Sequence, residues 1–278
     1  MICLTSSQNP MVKRLSLLLR DGRYRAAEGV LVLEGEKAVF DAISRGHRCL
    51  NLVLSDAYAS RGSVDFSRGS AAGENGIQRA KPFVSELYFS HSVQPNVKNT
   101  IQLARDIFEK VSLMKHATGV MGVFAIPQWD PSLWQKATGQ VAVLDAIQSP
   151  QNVGAIIRNA AAFGVEALLL LPGSADPTHP EVLRASSGYA LDVPIFRCHP
   201  NDVTVSRFTV LMLSASGQLC VGKDPLPKPC LWVLGNEGRG PTWGVSHSVS
   251  ARIAMMATVE SLNVAVASGI CFHAGMAT

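Results

Sequence analysis

Three polar segments in the second half of the chain each follow an apolar stretch. They read NVGAIIR (152–158), LGNEGRG (234–240) and SLNVAVA (261–267). An arginine inside an apolar helix, such as Arg158, needs a carboxylate or a bound phosphate as its partner. The glycines of the second segment let the backbone pass close to a ligand and present its N–H groups, while Asn236 and Glu237 offer polar contacts. These residue types predict a site that binds an anionic or polar ligand.

Each segment also has a plainer explanation. Arg158 is equally compatible with the solvent-facing side of its helix. The glycines of 234–240 suit a tight structural turn, and Ser261 suits an ordinary N-cap on a core helix. No segment matches the G-x-G-x-x-G pattern or a phosphate loop ending in Gly-Lys-Ser/Thr, which argues against an enzyme that uses a dinucleotide or a nucleoside triphosphate.

The elements around these segments alternate between strand and helix. Residues 141–145 and 167–171 are apolar strands, and residues 152–163 form a helix between them, with Asn152 as a candidate cap. This βαβ unit implies a parallel sheet, and ligands bind at the carboxyl ends of its strands. Further buried strands and a closing apolar helix are predicted at 208–213, 231–234, 252–256 and 261–273.

The first half has its own alternation and is predicted to be a separate domain. Its predicted strands and helices are 29–33, 36–45, 49–55, 86–90, 98–111 and 119–126, with a long loop at 56–82. The segment PQWDPSLWQKATG interrupts the pattern with two prolines. The sequence therefore predicts a domain at 1–126, a linker at 127–139 and a second domain at 140–278.

Charge is concentrated near the start of the chain. Residues 1–25 contain five basic side chains against Asp21, whereas the remaining basic and acidic residues balance. A compact basic surface favours a polyanion such as a nucleic acid. A solvated amphipathic helix explains the same pattern, because apolar residues lie at helical spacing beside the charges. The basic residues are Lys13, Arg14, Arg20, Arg23 and Arg25.

The six cysteines are scattered without metal-ligand or paired spacing, and the apolar runs are too short to span a bilayer. The sequence therefore predicts a cytoplasmic protein with no metal and no membrane partner.

Taken together and in order, the three segments resemble the motifs of the SpoU (TrmH-like) family of RNA 2′-O-ribose methyltransferases, in the SPOUT class. The likeness is close over 140–275, including RASSGYALDVPIF at 184–196. It is looser in the first half, where TSSQNPMVKRLSLLL and LVLEGEKAVFDAI resemble the family's L30e-like domain. One position departs from the pattern: Ala254 stands where the family usually has proline, which frees an N–H and loosens the backbone.

The resemblance implies an α/β fold: a SPOUT-type parallel sheet with a deep trefoil knot, after a smaller L30e-like domain that recruits RNA. It implies a homodimer that methylates a ribose 2′-hydroxyl of structured RNA and does not act on DNA; ribosomal RNA is favoured as the substrate, and tRNA is possible. The methyl donor would be S-adenosyl-L-methionine, without a metal. An inactive RNA-binding protein on the same fold is the alternative.

The family's functional positions carry over to named residues here. The catalytic set implied by the resemblance is Arg158, Asn152, Glu237, Ser261 and Asn263. The cofactor set is Leu234, Gly235, Asn236, Ile253, Met255 and Leu262. In the first domain, the RNA-binding set is Lys13, Arg14, Arg23 and Arg25. For Arg158 we favour orientation of a phosphate and electrostatic stabilisation of a developing alkoxide, since an arginine is a poor base.

Overall fold

The computed structural model describes residues 3–61, 96–214, 216–236, 238–244, 247–256 and 258–276. The chain divides between Ile126 and Pro127 into two compact units. The predicted strand at 86–90 and most of the predicted loop at 56–82 lie outside the described residues. Among the helices of the described ranges, none has both the length and the apolarity that crossing a bilayer requires.

The first unit is built on a five-stranded mixed sheet in the order β1-β4-β3-β5-β2. Strand β4 pairs in parallel with β1 and β3, and β5 pairs antiparallel to β2 and β3. The elements are β1 (Cys3–Leu4), α1 (Pro10–Arg20), α2 (Gly22–Glu28), β2 (Val30–Glu34), α3 (Glu36–Ser44), β3 (Cys49–Ser55), α4 (Asp56–Arg61), β4 (Thr100–Leu103), α5 (Arg105–Val111) and β5 (Val120–Ala125).

The second unit is built on a seven-stranded sheet in the order β10-β12-β9-β11-β6-β7-β8, and every pair is parallel. This confirms the predicted parallel sheet. The elements are α6 (Ser132–Gln135), β6 (Gln140–Asp145), α7 (Pro150–Ala162), β7 (Ala167–Leu170), α8 (Pro180–Ala185), β8 (Ile195–Arg197), β9 (Thr209–Leu213), β10 (Leu219–Cys220), β11 (Cys230–Gly235), β12 (Val249–Arg252) and α9 (Val264–Met276).

The centre of this sheet places the candidate site. Strand β6 lies between β7 and β11: the chain runs outward through β7 and β8 on one side, crosses to β9 on the other side, and later places β11 between β9 and β6. Such a reversal of strand order leaves a crevice at the carboxyl ends of the strands, where open α/β sheets bind ligands. The residues that end β6 and β11 are Asp145 and Gly235, which pair in register.

A buried polar contact fixes the last helix to the middle of the sheet. The side-chain amide of Gln140 donates to the carbonyl oxygen of Phe272 at 3.0 Å, and its oxygen accepts the indole N–H of Trp232 at 3.0 Å. Gln140 is only 3% exposed. Because a buried amide left without partners costs free energy, this contact fixes α9 in one position over the sheet.

The stretch predicted as a linker packs as part of the second unit. It contains α6, and Trp134 lies in the hydrophobic core together with Val141 and Val233. The carboxylate of Glu166 accepts the backbone N–H groups of Thr138 and Gly139. These contacts order the chain before it enters β6.

Two predicted elements differ in the structure. The helix predicted at 98–111 begins only at Arg105, because Thr100–Leu103 forms β4 and pairs with β3. The strand predicted at 252–256 lies earlier, at Val249–Arg252, and Met256 is 76% exposed. In both cases pairing with a neighbouring strand, which periodicity does not reveal, sets the boundary.

Candidate functional site

The end of β6 is joined to the segment that follows the second motif. Asp145 is 4% exposed, and its Oδ2 accepts the backbone N–H groups of Thr242 at 2.5 Å and Trp243 at 2.6 Å. The hydroxyl of Thr242 donates to the same carboxylate at 3.0 Å. A buried carboxylate with this many donors is satisfied, so Asp145 orders the loop. Asp145 ends the strand that the sequence predicts at 141–145, and nothing in the sequence indicates this contact.

The second motif forms a tight loop that folds back over its own first glycine. The N–H of Gly240 donates to the carbonyl oxygen of Asn236 at 2.8 Å. A Cβ atom on Gly235 would lie 2.0 Å from the nitrogen of Pro241, a distance that no side chain tolerates. Glycine is therefore required at position 235 because the returning backbone fills the space, which supports the structural-turn explanation for this residue.

Asn236 uses its side chain to hold this loop against the loop after β6. Its Nδ2 donates to the carbonyl oxygen of Ala146 at 3.2 Å, and its Oδ1 accepts the N–H of Gly238 at 2.9 Å. Ala146 has a φ of 55°, which is uncommon for a residue with a side chain. The Asn236 side chain therefore positions the backbone around the site. Glu237 lies outside the described residues.

The first motif begins helix α7 and supplies an exposed cation. Ser149, not Asn152, caps the helix: its Oγ accepts the N–H of Asn152 at 3.3 Å, and Pro150 takes the first helical position. The prediction that Asn152 is the cap was wrong, because Ser149 is equally able to accept this N–H. Arg158 is exposed and forms neither a hydrogen bond nor an ion pair with any residue that the structure describes. The structure therefore favours the solvent-facing alternative for its side chain.

The glycine of the first motif has a packing role. A Cβ atom on Gly154 would lie 2.5 Å from the Cβ of Ala185 and 2.6 Å from the carbonyl oxygen of Val182. Helix α7 therefore approaches α8 closely at this point, and the close approach requires glycine.

The third motif caps the last helix and meets the first motif. The Oδ1 of Asn263 accepts the N–H groups of Ala265 at 2.9 Å and Val266 at 3.3 Å. Asn263, and not the predicted Ser261, is thus the N-cap of α9, and Ser261 is exposed. The Nδ2 of Asn263 also donates to the Oδ1 of Asn152 at 3.0 Å. Two candidate catalytic residues, 111 positions apart, are therefore in direct contact.

The candidate cofactor residues lie at the end of β11 and on the loops that follow β11, follow β12 and precede α9. Leu234 is buried at the end of β11, and Met255 is 36% exposed after β12. The remaining four are half-buried: Gly235, Asn236, Ile253 and Leu262. Half-buried backbone beside exposed methionines can receive a ligand that is partly apolar. Among the described residues, no group of three or more His, Cys, Asp or Glu side chains is arranged to hold a metal ion.

Residues 139–273 match the SpoU rRNA methylase family model. This part of the chain is a SpoU methylase domain. The match covers the whole parallel sheet, most of α9 and all three motifs.

This SpoU protein matches some relatives over nearly their full length and others over only part of it. It is 26% identical to an uncharacterized tRNA/rRNA methyltransferase of Synechocystis, over 97% of this chain and 92% of that one. It is 34% identical to the 23S rRNA (guanosine-2′-O-)-methyltransferase RlmB of Vibrio parahaemolyticus, over 51% of this chain and 60% of that one. The SpoU methyltransferase AviRb of Streptomyces viridochromogenes, solved with S-adenosylmethionine, shares the fold at a TM-score of 0.76, 20% identity and coverage of 97% and 98%.

The candidate RNA-binding residues of this SpoU protein lie in the first unit, and they differ in how exposed their side chains are. Lys13 and Arg23 are exposed. Arg14 forms an ion pair with Glu28 at 2.5 Å, and this contact lowers the pKa of the glutamate below its usual value. Arg25 is 2% exposed and donates to the carbonyl oxygen of Leu18 at 2.9 Å. We therefore withdraw Arg25, because a side chain buried in this way does not reach a phosphate.

Proposed function

We propose that this SpoU protein transfers the methyl group of S-adenosyl-L-methionine to a ribose 2′-hydroxyl in structured RNA, in the cytoplasm. The family match with all three motifs in place carries the proposal, and the contact between Asn152 and Asn263 supports it because it joins the first and third motifs. Ribosomal RNA is the preferred substrate class, since 2′-O-methylation of 23S rRNA is named for a relative at 34% identity.

In this proposal the cofactor lies against the loops around Gly235, Ile253 and Leu262, and these loops form the family's trefoil knot. Two observations support this placement: the backbone at Gly235 is half-buried and ordered by Asn236, and Met255 exposes an apolar side chain on the loop after β12. When bound, S-adenosylmethionine would supply the methyl group of its sulfonium and leave as the neutral thioether, while the proton of the 2′-hydroxyl would pass to water. The chain itself contributes a rigid frame, which limits the entropy lost on binding.

The chemistry that the chain's own residues supply is orientation and charge stabilisation. The Arg158 guanidinium is exposed, and no described residue pairs with it, so it is available to hold an RNA phosphate. It also stabilises the developing negative charge on the 2′-oxygen without giving up its own proton. Asn152 and Asn263 hold each other and so fix the start of α7 against the start of α9. Glu237 and Ser261 complete the polar set by their place in the motifs.

Transfer of labelled methyl groups to ribosomal RNA and tRNA tests this proposal. Arg158→Gln should lower transfer at least about 100-fold, the scale of one lost electrostatic donor in a transition state. Its thermal stability should be unchanged within about 0.5 kcal/mol because the side chain is exposed. Lys136→Gln is the matched control. Lys136 is also exposed, but it precedes β6 and so lies at the amino ends of the strands, opposite the candidate site.

Mapping the labelled nucleotides identifies the RNA. A wild-type protein that binds ribosomal RNA but transfers no label would overturn the proposed activity and support the inactive RNA-binding alternative. Label on a base, not on a ribose, would overturn the proposed position of transfer.

The first unit would recruit the RNA through an L30e-like fold and the exposed cations Lys13 and Arg23. Each phosphate neutralised in a duplex contributes about 0.9 to the slope of log affinity against log salt. Replacing both residues with alanine should therefore reduce that slope by nearly two. An unchanged slope would remove this surface from the RNA interface.

The protein would work as a homodimer in which a second copy covers α9. This helix exposes Val266 (53%), Ile270 (37%) and Met276 (56%), apolar side chains that solvent disfavours. Closed symmetric dimers bury such self-complementary patches. Light scattering should show a dimer for the wild-type protein and a monomer for Ile270→Glu; a monomeric wild type would refute the assembly.

A further inference from the structure

A second polar contact joins α7 to α9, next to the candidate catalytic arginine. The Nδ2 of Asn159 donates to the carbonyl oxygen of Ala265 at 2.8 Å and to the Oγ of Ser268 at 3.0 Å. Ser268 is fully buried, and its hydroxyl donates to the same carbonyl oxygen at 2.7 Å. Asn159 therefore belongs to a closed network between two helices, and none of the three motifs includes it.

This contact lies on the same face of α7 as the one between Asn152 and Asn263. Seven residues separate Asn152 from Asn159, which is nearly two full turns, or about 10 Å along the helix axis. Helix α9 also comes close at this level, because a Cβ atom on Gly269 would lie 3.2 Å from the Nδ2 of Asn159. Because these two contacts lie about 10 Å apart along α7, together they fix both the rotation of α7 about its axis and its tilt relative to α9.

We infer that Asn159 is a positioning residue: it holds α7 at the rotation that directs Arg158 toward the reacting ribose and its phosphate. The inference rests on the proposed function. Arg158 precedes Asn159, so its side chain leaves the helix about 100° away and is exposed. A guanidinium about 8 Å from the helix axis moves by about 1.5 Å for each 10° of helix rotation. A displacement near 1 Å at a reacting centre costs up to about 100-fold in rate.

The test uses full-length protein and methyl transfer to the RNA substrate. Asn159→Ala should lower kcat by about 10- to 100-fold. The KM for RNA and the affinity for S-adenosylmethionine should stay within about twofold, because the proposed binding surfaces keep their residues. Asn159→Ser, which keeps a donor, should recover part of kcat. Asn201→Ala is the matched control, since that asparagine is exposed in the same unit.

A double variant separates positioning from general damage to the fold. If Asn159 acts through Arg158, then adding Asn159→Ala to Arg158→Gln should lower kcat no further. If the double variant lost kcat by the product of the two single losses, the inference would be overturned. A kcat equal to that of wild type in Asn159→Ala would also overturn it. Should Asn159→Ala fold poorly, Asn159→Ser and Ser268→Ala provide the same comparison, with melting temperatures recorded for each. A wild-type protein that transfers no methyl group at all would refute the proposed function instead.

Discussion

Replacing Gly154 with alanine sets two opposing effects against each other within α7. In an exposed helix, alanine is favoured over glycine by about 1 kcal/mol. Here the new Cβ would lie 2.5 Å from the Cβ of Ala185 and 2.6 Å from the carbonyl oxygen of Val182. Ordinary carbon contacts are about 3.5–4.0 Å, so α8 must move by about 1 Å. Overpacking of this kind costs up to about 3 kcal/mol, and the backbone contact favours the upper part of that range. We therefore expect a net loss of about 1–2 kcal/mol.

Urea unfolding of the full chain, followed by circular dichroism, measures this change. Gly164→Ala is the matched control, because Gly164 has a φ of 65° at the end of the same helix and nothing lies within 4 Å of its added Cβ. Its cost is conformational, so Gly164→Asn should be tolerated better than Gly164→Ala, while Gly154→Asn should be worse than Gly154→Ala. A Gly154→Ala protein as stable as the wild type, or more stable, would refute the packing argument and show that α7 and α8 separate easily.

Other consequences of the structure are open to measurement. Asp145→Ala should lower the affinity for S-adenosylmethionine at least about tenfold in calorimetry, because the loop at 241–243 loses its charged acceptor; unchanged affinity would separate this loop from the cofactor site. Gln140→Leu should destabilise the chain by about 2–4 kcal/mol, since the indole of Trp232 loses its partner, and a melting temperature equal to that of wild type would contradict this. Burial raises the pKa of the Cys49 thiol from 9.0 to about 12. The unfolded thiol therefore ionises first, and the stability that the buried neutral thiol contributes is lost as the pH rises from 9 toward 12. Between pH 8 and pH 10 the free energy of unfolding should fall more for the wild type than for Cys49→Ala; parallel decreases would show that this thiol does not contribute.

The order of the motifs predicted the SpoU domain, because that order is a property of the sequence alone. The order did not predict the structural role of each polar residue. Asn263 caps α9 where Ser261 was expected, and Ser149 caps α7 where Asn152 was expected. Several nearby residues are able to accept the same N–H, and only the path of the backbone decides between them.

Charge and packing were the least predictable features. Five basic residues at the start of the chain suggested a single surface, yet Arg25 is buried and Arg14 is paired with Glu28. A count of charges does not reveal which side of a helix faces the core. The requirement for Gly235 depends on Pro241 passing directly over it, which is a contact between loop segments and not a local preference.

The contact of Gln140 with α9 has a consequence for how the protein is made. Gln140 is the first residue of β6, but the carbonyl that it binds lies 132 residues later. Ribosomes add roughly 5–20 residues per second, so this strand waits on the order of 10 s for its partner. The βαβ unit formed by β6, α7 and β7 is complete in sequence long before α9 is made, so the sheet can begin to form before the helix that covers Gln140 is available.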